Sequence, residues 1–251
     1  MSIVYAIPTY KRYNIIADKT LSVLNSYDIP KKDIYIFVAN KDEYKLYQEV
    51  LGNEYKLIVG VILLSKQRNF IQKYFPIGKK IVFLDDDVSQ ITELTTTPKS
   101  KLKRLPNLKR FVNDAFAECK SVGAFIWGVY PVDNHYFMRK VITHDLRYLI
   151  GPFYGIINRH SKDVMLWIEE KEDGLRTLQY FKKDGAVVRY NYVGVKTKFY
   201  AQGGMSVGRD RKKESKIAVQ KLHKEFPTLT RIQENRKVKD LWEIKLIKNK
   251  I

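Results

Sequence analysis

The chain of 251 residues reads as an α/β fold, and three features say so. Short apolar runs alternate with helical patterns across the first 95 residues, which is the signature of βαβ units around a mainly parallel sheet. Turn-forming or polar residues close each run. The fourth run leads directly into three consecutive aspartates.

Taken in order, Ile3-Val4-Tyr5-Ala6-Ile7, ended by Pro8, reads as a buried strand. Ile15, Ile16, Leu21, Val23 and Leu24 follow at helical spacing before Asp28-Ile29-Pro30. Residues 34–38 are the second strand, residues 43–51 a helix stopped by Gly52, and residues 56–64 the third strand. Residues 66–74 form a short helix, and Ile81-Val82-Phe83-Leu84 the fourth strand. Beyond residue 95 the pattern is mixed. Residues 99–110 hold six basic side chains and no acid, with Pro98 and Pro106, and are expected to be a mobile loop. Helices are expected over 107–121, 172–183 and 209–225. Strands are expected over 186–190 and 195–200, and two Gly-punctuated strands, 124–130 and 152–157, would line a site. No repeat or linker interrupts the chain, so one domain is expected, with residues 1–95 as one part and 96–251 as the other.

Composition narrows the class. At 45% hydrophobic and 13% aromatic the chain is too apolar for disorder. No apolar run approaches the roughly 20 residues of a membrane span, and no charged leader precedes an apolar segment, so a cytoplasmic protein is expected. The single cysteine, Cys119, excludes an intramolecular disulfide and a thiolate metal cluster. Net charge is +19, unevenly divided: residues 1–95 carry 13 basic and 11 acidic side chains, residues 96–251 carry 33 and 16. A polyanionic partner for the second part is one reading; a Lys-rich solvated surface is the other.

The chemistry concentrates where parallel strands end, which is where open α/β sheets bind ligands. Pro8, Thr9, Tyr10 and Arg12 follow the first strand, Asn40 the second, and Asp85-Asp86-Asp87 the fourth. Adjacent carboxylates repel unless a cation neutralises them, and carboxylate oxygens suit Mg²⁺ or Mn²⁺. Strand alternation would turn Asp85 and Asp87 to one side, sharing a metal, with Asp86 opposite. An acidic surface turn is the plainer alternative. Arg68 and Asn69, taken to open a helix, could hold a diphosphate. Glu172-Asp173 could cap a helix or, at the cleft, supply a general base, with Asp173 favoured. Gly203, Gly204, Arg209 and Arg211 form a Gly-rich basic segment able to close on phosphate oxygens, with neither a Walker nor a dinucleotide spacing. His135, His144, His160 and His223 show no metal-ligand spacing, although His144 stands next to Asp145.

In this order the pieces resemble the GT-A glycosyltransferases. Pro8-Thr9-Tyr10-Lys11-Arg12 is similar to that family's nucleotide-recognition start, Arg68-Asn69 to its donor-binding pair, Asp85-Asp86-Asp87 to its DXD motif, and Glu172-Asp173 to the ED pair of inverting members. The resemblance implies a GT-A-like fold: a Rossmann-like nucleotide-binding sheet with a mixed acceptor-side part. It implies a nucleoside-diphosphate sugar donor, UDP-glucose first. It also implies a divalent ion on Asp85 and Asp87, and Glu172 or Asp173 as the base. The catalytic His near the C-terminus of some GT-A enzymes has no clear counterpart. More narrowly, IPTYKR, FLDDD and AQGGM resemble the glycosyltransferases associated with TET/J-binding-protein dioxygenases, which occur in phages and glucosylate hydroxymethylpyrimidines. That likeness implies DNA as acceptor, with Trp127, Tyr130, Tyr136 and Tyr154 as candidates to stack on a flipped base. A surface glycan is the competing acceptor. A nucleotidyltransferase would want a glycine-rich loop after the first strand, and PTYKR has none; a non-enzymatic nucleic-acid binder would leave the aspartates unexplained.

Overall fold

The computed structural model describes residues 2–97, 99, 101–197, 210–233 and 242–247, without the side chains of 211 and 212. An eight-stranded sheet runs through its centre in the order β3-β2-β1-β4-β9-β7-β10-β8. Its strands are β1 (Ile3–Pro8), β2 (Ile34–Val38), β3 (Lys56–Val59), β4 (Lys80–Leu84), β7 (Ile126–Val129), β8 (Ile142–Thr143), β9 (Phe153–Ile157) and β10 (Val188–Tyr190). The first four in spatial order are parallel. β9 is antiparallel to both β4 and β7, β10 is parallel to β7, and β8 closes the edge antiparallel. β1, β2, β3, β4, β7 and β10 therefore point one way, and their carboxyl ends share one edge of the sheet.

Buried apolar side chains cover both faces. One cluster joins Ile7, Ile36, Val82 and Leu84 to helix α5 (Leu108–Ser121), and the other joins Phe37, Phe83 and Tyr154 to helix α4 (Leu64–Tyr74). A near-continuous apolar run is what a strand buried on both faces requires, which is why these strands were legible. Helix α3 (Lys41–Leu51) is capped by Asn40, whose Oδ1 accepts from the Glu43 N–H at 2.9 Å. Helix α6 (Glu172–Asp184) ends at Gly185 in the left-handed conformation. Helix α7 (Arg211–Glu225) packs on a hairpin of β12 (Thr230–Gln233) and β13 (Glu243–Leu246).

Four expectations change. The basic segment at 99–110 is not a loop throughout. Lys101–Arg104 is strand β6, paired antiparallel to β5 (Gln90–Thr95), which in turn pairs with β11 (Val193–Lys196). The K-L-K-R pattern turns Leu102 against Leu94 and leaves Lys101 and Lys103 exposed, a charged edge that resists further strand pairing. β3 stops at Val59 rather than residue 64, because helix α4 already starts at Leu64. The two Gly-punctuated strands are central and buried, and they reach the site only through Tyr154 and the Pro152 carbonyl, which accepts the Asp85 N–H at 3.1 Å; Gly155 is glycine because a Cβ there would lie 2.3 Å from Nε1 of the buried Trp127. The first helix is also not regular. Tyr13–Ile16 and Ser22–Asn25 are α-helical (α1 and α2), with a π turn at Ala17–Leu21 between them.

Candidate active site

The aspartate turn lies at the carboxyl edge, directly after β4. The strand ends at Leu84, so alternation no longer applies to Asp85–Asp87, and the expected division of Asp85 with Asp87 against Asp86 is corrected. Asp86 and Asp87 face one guanidinium: Arg12 Nη1 donates to Asp86 Oδ1 at 2.7 Å and to Asp87 Oδ2 at 3.1 Å. Asp86 is buried and also accepts from Thr9 Oγ1 at 2.6 Å. Thr9 has a single proton and gives it to Asp86, so Tyr47 Oη donates to Thr9 across 2.5 Å while accepting the Arg12 N–H at 3.1 Å. The segment after β1 thus braces the aspartates. Pro8 ends the strand, and Tyr10 stays partly exposed with Lys11 Nζ 5.2 Å from its ring centre.

The π turn has a local role in this brace. Its buried Thr20 donates to the Asp85 carbonyl at 2.6 Å and accepts the Val88 N–H at 3.0 Å, spanning the turn. An extra residue in a helical turn shifts where side chains project, and such turns gather at functional sites. Thr20→Val keeps the shape and removes both bonds. It is expected to cost about 1–3 kcal/mol in urea unfolding, since a buried N–H and a buried carbonyl lose their partner.

Arg68 joins the aspartates to the distant ED pair. It is 1% exposed and lies in the second turn of α4, so it does not open the helix. Its Nη2 donates to Asp85 Oδ1 at 2.9 Å and to the Gly151 carbonyl at 3.2 Å, and its Nη1 donates to Glu172 Oε1. Arg176, one turn along α6, donates to Glu172 Oε2 at 3.0 Å. Both guanidinium carbons lie over the Tyr154 ring, at 5.5 and 3.7 Å from its centre, and Phe83 stacks beneath at 4.7 Å. The helix start itself is taken by Glu169, which accepts from the Ser65 N–H at 3.1 Å. Asn69 does not face the carboxylates: its amide is engaged at both ends by the Leu166 backbone, at 2.7 and 2.8 Å.

Electrostatics separate the carboxylates. Burial raises the pKa of Asp85, Asp86 and Asp87, and the two guanidiniums offset this only in part. Burial also works on Glu172, but Arg68 and Arg176 outweigh it and hold that group below the ordinary range. Asp173 is raised, first by burial and then by the neighbouring Glu172 charge, while a hydrogen bond from the Tyr148 phenol works the other way. Of the five non-glycine residues with positive φ among the described residues, Lys11, Leu63 and Lys171 stand next to the three contributing segments. Strained backbone of this kind is held in place by surrounding structure and collects at functional sites.

No group of three or more His, Cys, Asp and Glu side chains among the described residues is arranged to enclose a metal. Asp85 and Asp87 nevertheless fit a divalent ion. They are hard oxygen donors, the Asp87 charge raises the Asp85 pKa, and each has one oxygen on a guanidinium, Asp85 on Arg68 and Asp87 on Arg12. Mg²⁺ is commonly held by one or two carboxylates together with substrate phosphates. Gly203, Gly204 and Arg209 lie outside the described residues, and Arg211 opens α7 with its side chain likewise outside them. The histidines are structural contacts: His144 Nε2 meets Glu118 at 2.7 Å, His160 the Phe75 carbonyl at 2.7 Å, and His223 Thr230 at 3.0 Å, while His135 packs on Tyr136. Thr20, Tyr47, Tyr148 and Arg176 were missed by the sequence reading. Only the i, i+4 spacing of Glu172 and Arg176 was there to be noticed.

No protein-family model matches the chain, and no curated protein sequence does. Solved structures do match. Residues 1–349 of TarS from S. aureus align with a TM-score of 0.50 at 17% identity, over 77% of this chain and 60% of that one. Glucosyl-3-phosphoglycerate synthase from Mycobacterium tuberculosis, in complex with Mn²⁺, UDP and glucosyl-3-phosphoglycerate, aligns at 0.51 and 11% identity, over 98% of this chain and 87% of that one. The fold is that of the GT-A glycosyltransferases. A mycobacterial protein aligns equally well, at 0.51 and 11% over 98% and 83% of the two chains. These likenesses concern architecture, and this chain spans less than two thirds of the TarS structure. Among the described residues no helix is long and apolar enough to cross a membrane.

Proposed function

We propose that the protein is a metal-dependent, inverting glycosyltransferase that moves a sugar from a nucleoside-diphosphate sugar, UDP-glucose foremost, to an acceptor hydroxyl. The observation carrying this reading is the Arg68 bridge, which unites carboxylates 87 positions apart in sequence, Asp85 and Glu172, at the ligand-binding edge of the sheet. The M. tuberculosis synthase, of the same fold, is itself recorded with Mn²⁺ and UDP-glucose. In this reading Tyr10 and Asn40, at the ends of β1 and β2, would meet the nucleoside, and Asp85 and Asp87 would hold the ion. Bound there, a divalent cation supplies the positive charge that lets the diphosphate leave.

The division of labour rests on what surrounds each carboxylate. Glu172 has both oxygens engaged by guanidiniums and a lowered pKa, so it is a weak base; it positions Arg68. Asp173, partly exposed and with a raised pKa, accepts the acceptor's hydroxyl proton. The freed oxygen forms its bond to the anomeric carbon as the bond from that carbon to the diphosphate oxygen breaks, and the electron pair departs on the nucleotide.

The acceptor we infer is a 5-hydroxymethylpyrimidine in DNA. The excess of 33 basic over 16 acidic side chains in residues 96–251 supports a polyanion, since Lys and Arg contacts to phosphate supply most non-specific DNA affinity. Transfer assays with Mn²⁺, UDP-glucose and hydroxymethylated DNA, read by mass spectrometry of digested nucleosides, test this directly. A hexose adduct is expected on the modified base, lost in Asp87→Ala. Metal-dependent donor hydrolysis without a DNA adduct would overturn the acceptor and keep the transferase.

A further inference from the structure

Of the four aromatics that the sequence offered for base stacking, Trp127 and Tyr154 are core residues and Tyr130 is partly buried against Arg189. Tyr136 is 82% exposed, more than any other large apolar side chain among the described residues, and its neighbour Phe137 is 62% exposed. Both sit between β7 and β8. Because β7 runs parallel to β4, that connection leaves the sheet at the same edge as Asp85–Asp87.

High exposure is ordinary on a loose loop, but this turn is clamped on every side. Asn134 closes it: its Oδ1 accepts the Tyr136 N–H at 3.1 Å and its carbonyl the Phe137 N–H at 3.1 Å. Asp133 accepts from Thr92 of β5 and lies 4.0 Å from Lys196 of β11. Met138 is buried, and the Arg139 N–H donates to the Asn191 carbonyl at 3.1 Å. His135 covers one face of the Tyr136 ring with centroids 4.1 Å apart. The Phe137 ring and the open face of Tyr136 are thus presented to water from a turn whose backbone is hydrogen-bonded in place, which costs hydrophobic free energy unless something covers them.

The surrounding charge favours an anionic occupant. Arg139 and Lys140 follow in the same turn, both exposed, and the turn's acid, Asp133, is turned inward. Exposed Lys196, paired with Gln90 and so on the same face of the small β11-β5-β6 sheet as Thr92, adds a third cation on the side that anchors the turn. Stacking rings beside cations are the means by which proteins hold unpaired nucleotides with little regard to sequence. Resting on the nucleic-acid acceptor reading above, we propose that the Tyr136–Phe137 turn is a stacking platform for an unpaired nucleotide of the acceptor strand, with Arg139 and Lys140 on its phosphates.

The test uses the full chain and a fluorescein-labelled single-stranded oligonucleotide of about a dozen nucleotides. Anisotropy measures its binding, and calorimetry measures Mn²⁺-dependent UDP binding in parallel. Both rings are exposed, so the double variant Tyr136→Ala/Phe137→Ala should fold. It is expected to lose roughly ten- to hundredfold in oligonucleotide affinity, with UDP binding unchanged and Tyr136→Trp near wild type. Arg139→Ala/Lys140→Ala should instead flatten the salt dependence. Equal affinity in the aromatic double variant overturns the platform, as does failure of the wild-type protein to bind the oligonucleotide. A neutral oligosaccharide whose binding falls in the same variant overturns it too. Absence of UDP binding by the wild type would remove the transferase reading while leaving the oligonucleotide result to judge the platform by itself.

Discussion

Arg68→Met is expected to destabilise the protein by about 3–5 kcal/mol, the cost of removing one partner from a buried ion network. The side chain is buried, and methionine occupies a similar stem volume but offers no charge. Asp85 would lose its nearest cation, whereas Glu172 would retain Arg176 at 3.0 Å. The pH dependence has a definite sign. In the wild type, Glu172 is held below its ordinary pKa, so its contribution is present above the unfolded value and fades as pH falls through the folded one. In the variant, the carboxylates left without Arg68 titrate higher than in the unfolded chain. Their penalty is therefore largest at neutral pH and shrinks as acid protonates them. Urea titrations at neutral pH and near pH 4 measure this; a deficit that stays constant or grows in acid would mean that Arg68 acts through packing on Tyr154 rather than through charge. Arg68→Lys should not rescue, because one ammonium cannot span Asp85, Glu172 and the Gly151 carbonyl as a planar fork does.

Asp173→Asn is expected to lower kcat by roughly 10²–10⁴ while leaving Mn²⁺-dependent UDP binding intact, the loss typical of removing a general base. Asparagine preserves the side chain's shape and its acceptor oxygen for the Gly174 N–H, which now bonds Asp173 Oδ1 at 2.9 Å. Activity must fall as pH drops through the Asp173 pKa, and since burial and Glu172 raise that value, the acid limb should lie above the usual aspartate range. Tyr148→Phe sharpens the test. The phenol's hydrogen bond favours the ionised carboxylate, so its removal should shift the acid limb to still higher pH without abolishing turnover. A role confined to capping α6 would move stability and leave the pH profile in place.

Much of the nucleotide-side architecture is written locally. Val82, Phe83 and Leu84 must be buried on both faces, and no amphipathic alternative competes with a central strand. Three aspartates after such a strand mark the ligand edge for the same reason: unneutralised carboxylates there are too costly to be incidental. The acceptor side was harder to read. Residues 101–104 look like a basic loop until Leu94 gives Leu102 something to pack on, and of the glycines in residues 124–157 only the fold tells Gly151, whose carbonyl meets Arg68, from Gly155, which makes room for Trp127.

Sequence alone determined the strand–helix order of residues 1–84, the acidic turn after β4 and the presence of the ED pair, because each depends on neighbours a few positions away, whereas β5 at Gln90–Thr95 was not legible. Tertiary structure decided which charges meet. It gave Asp86 and Asp87 to Arg12, joined Asp85 to Glu172 through Arg68, occupied Asn69 with the Leu166 backbone, and left Tyr136 uncovered while burying Trp127. Coulomb and hydrogen-bond energies depend on separation in space, and pairs as far apart in sequence as Arg68 and Glu172 acquire that separation only when the sheet has closed around them.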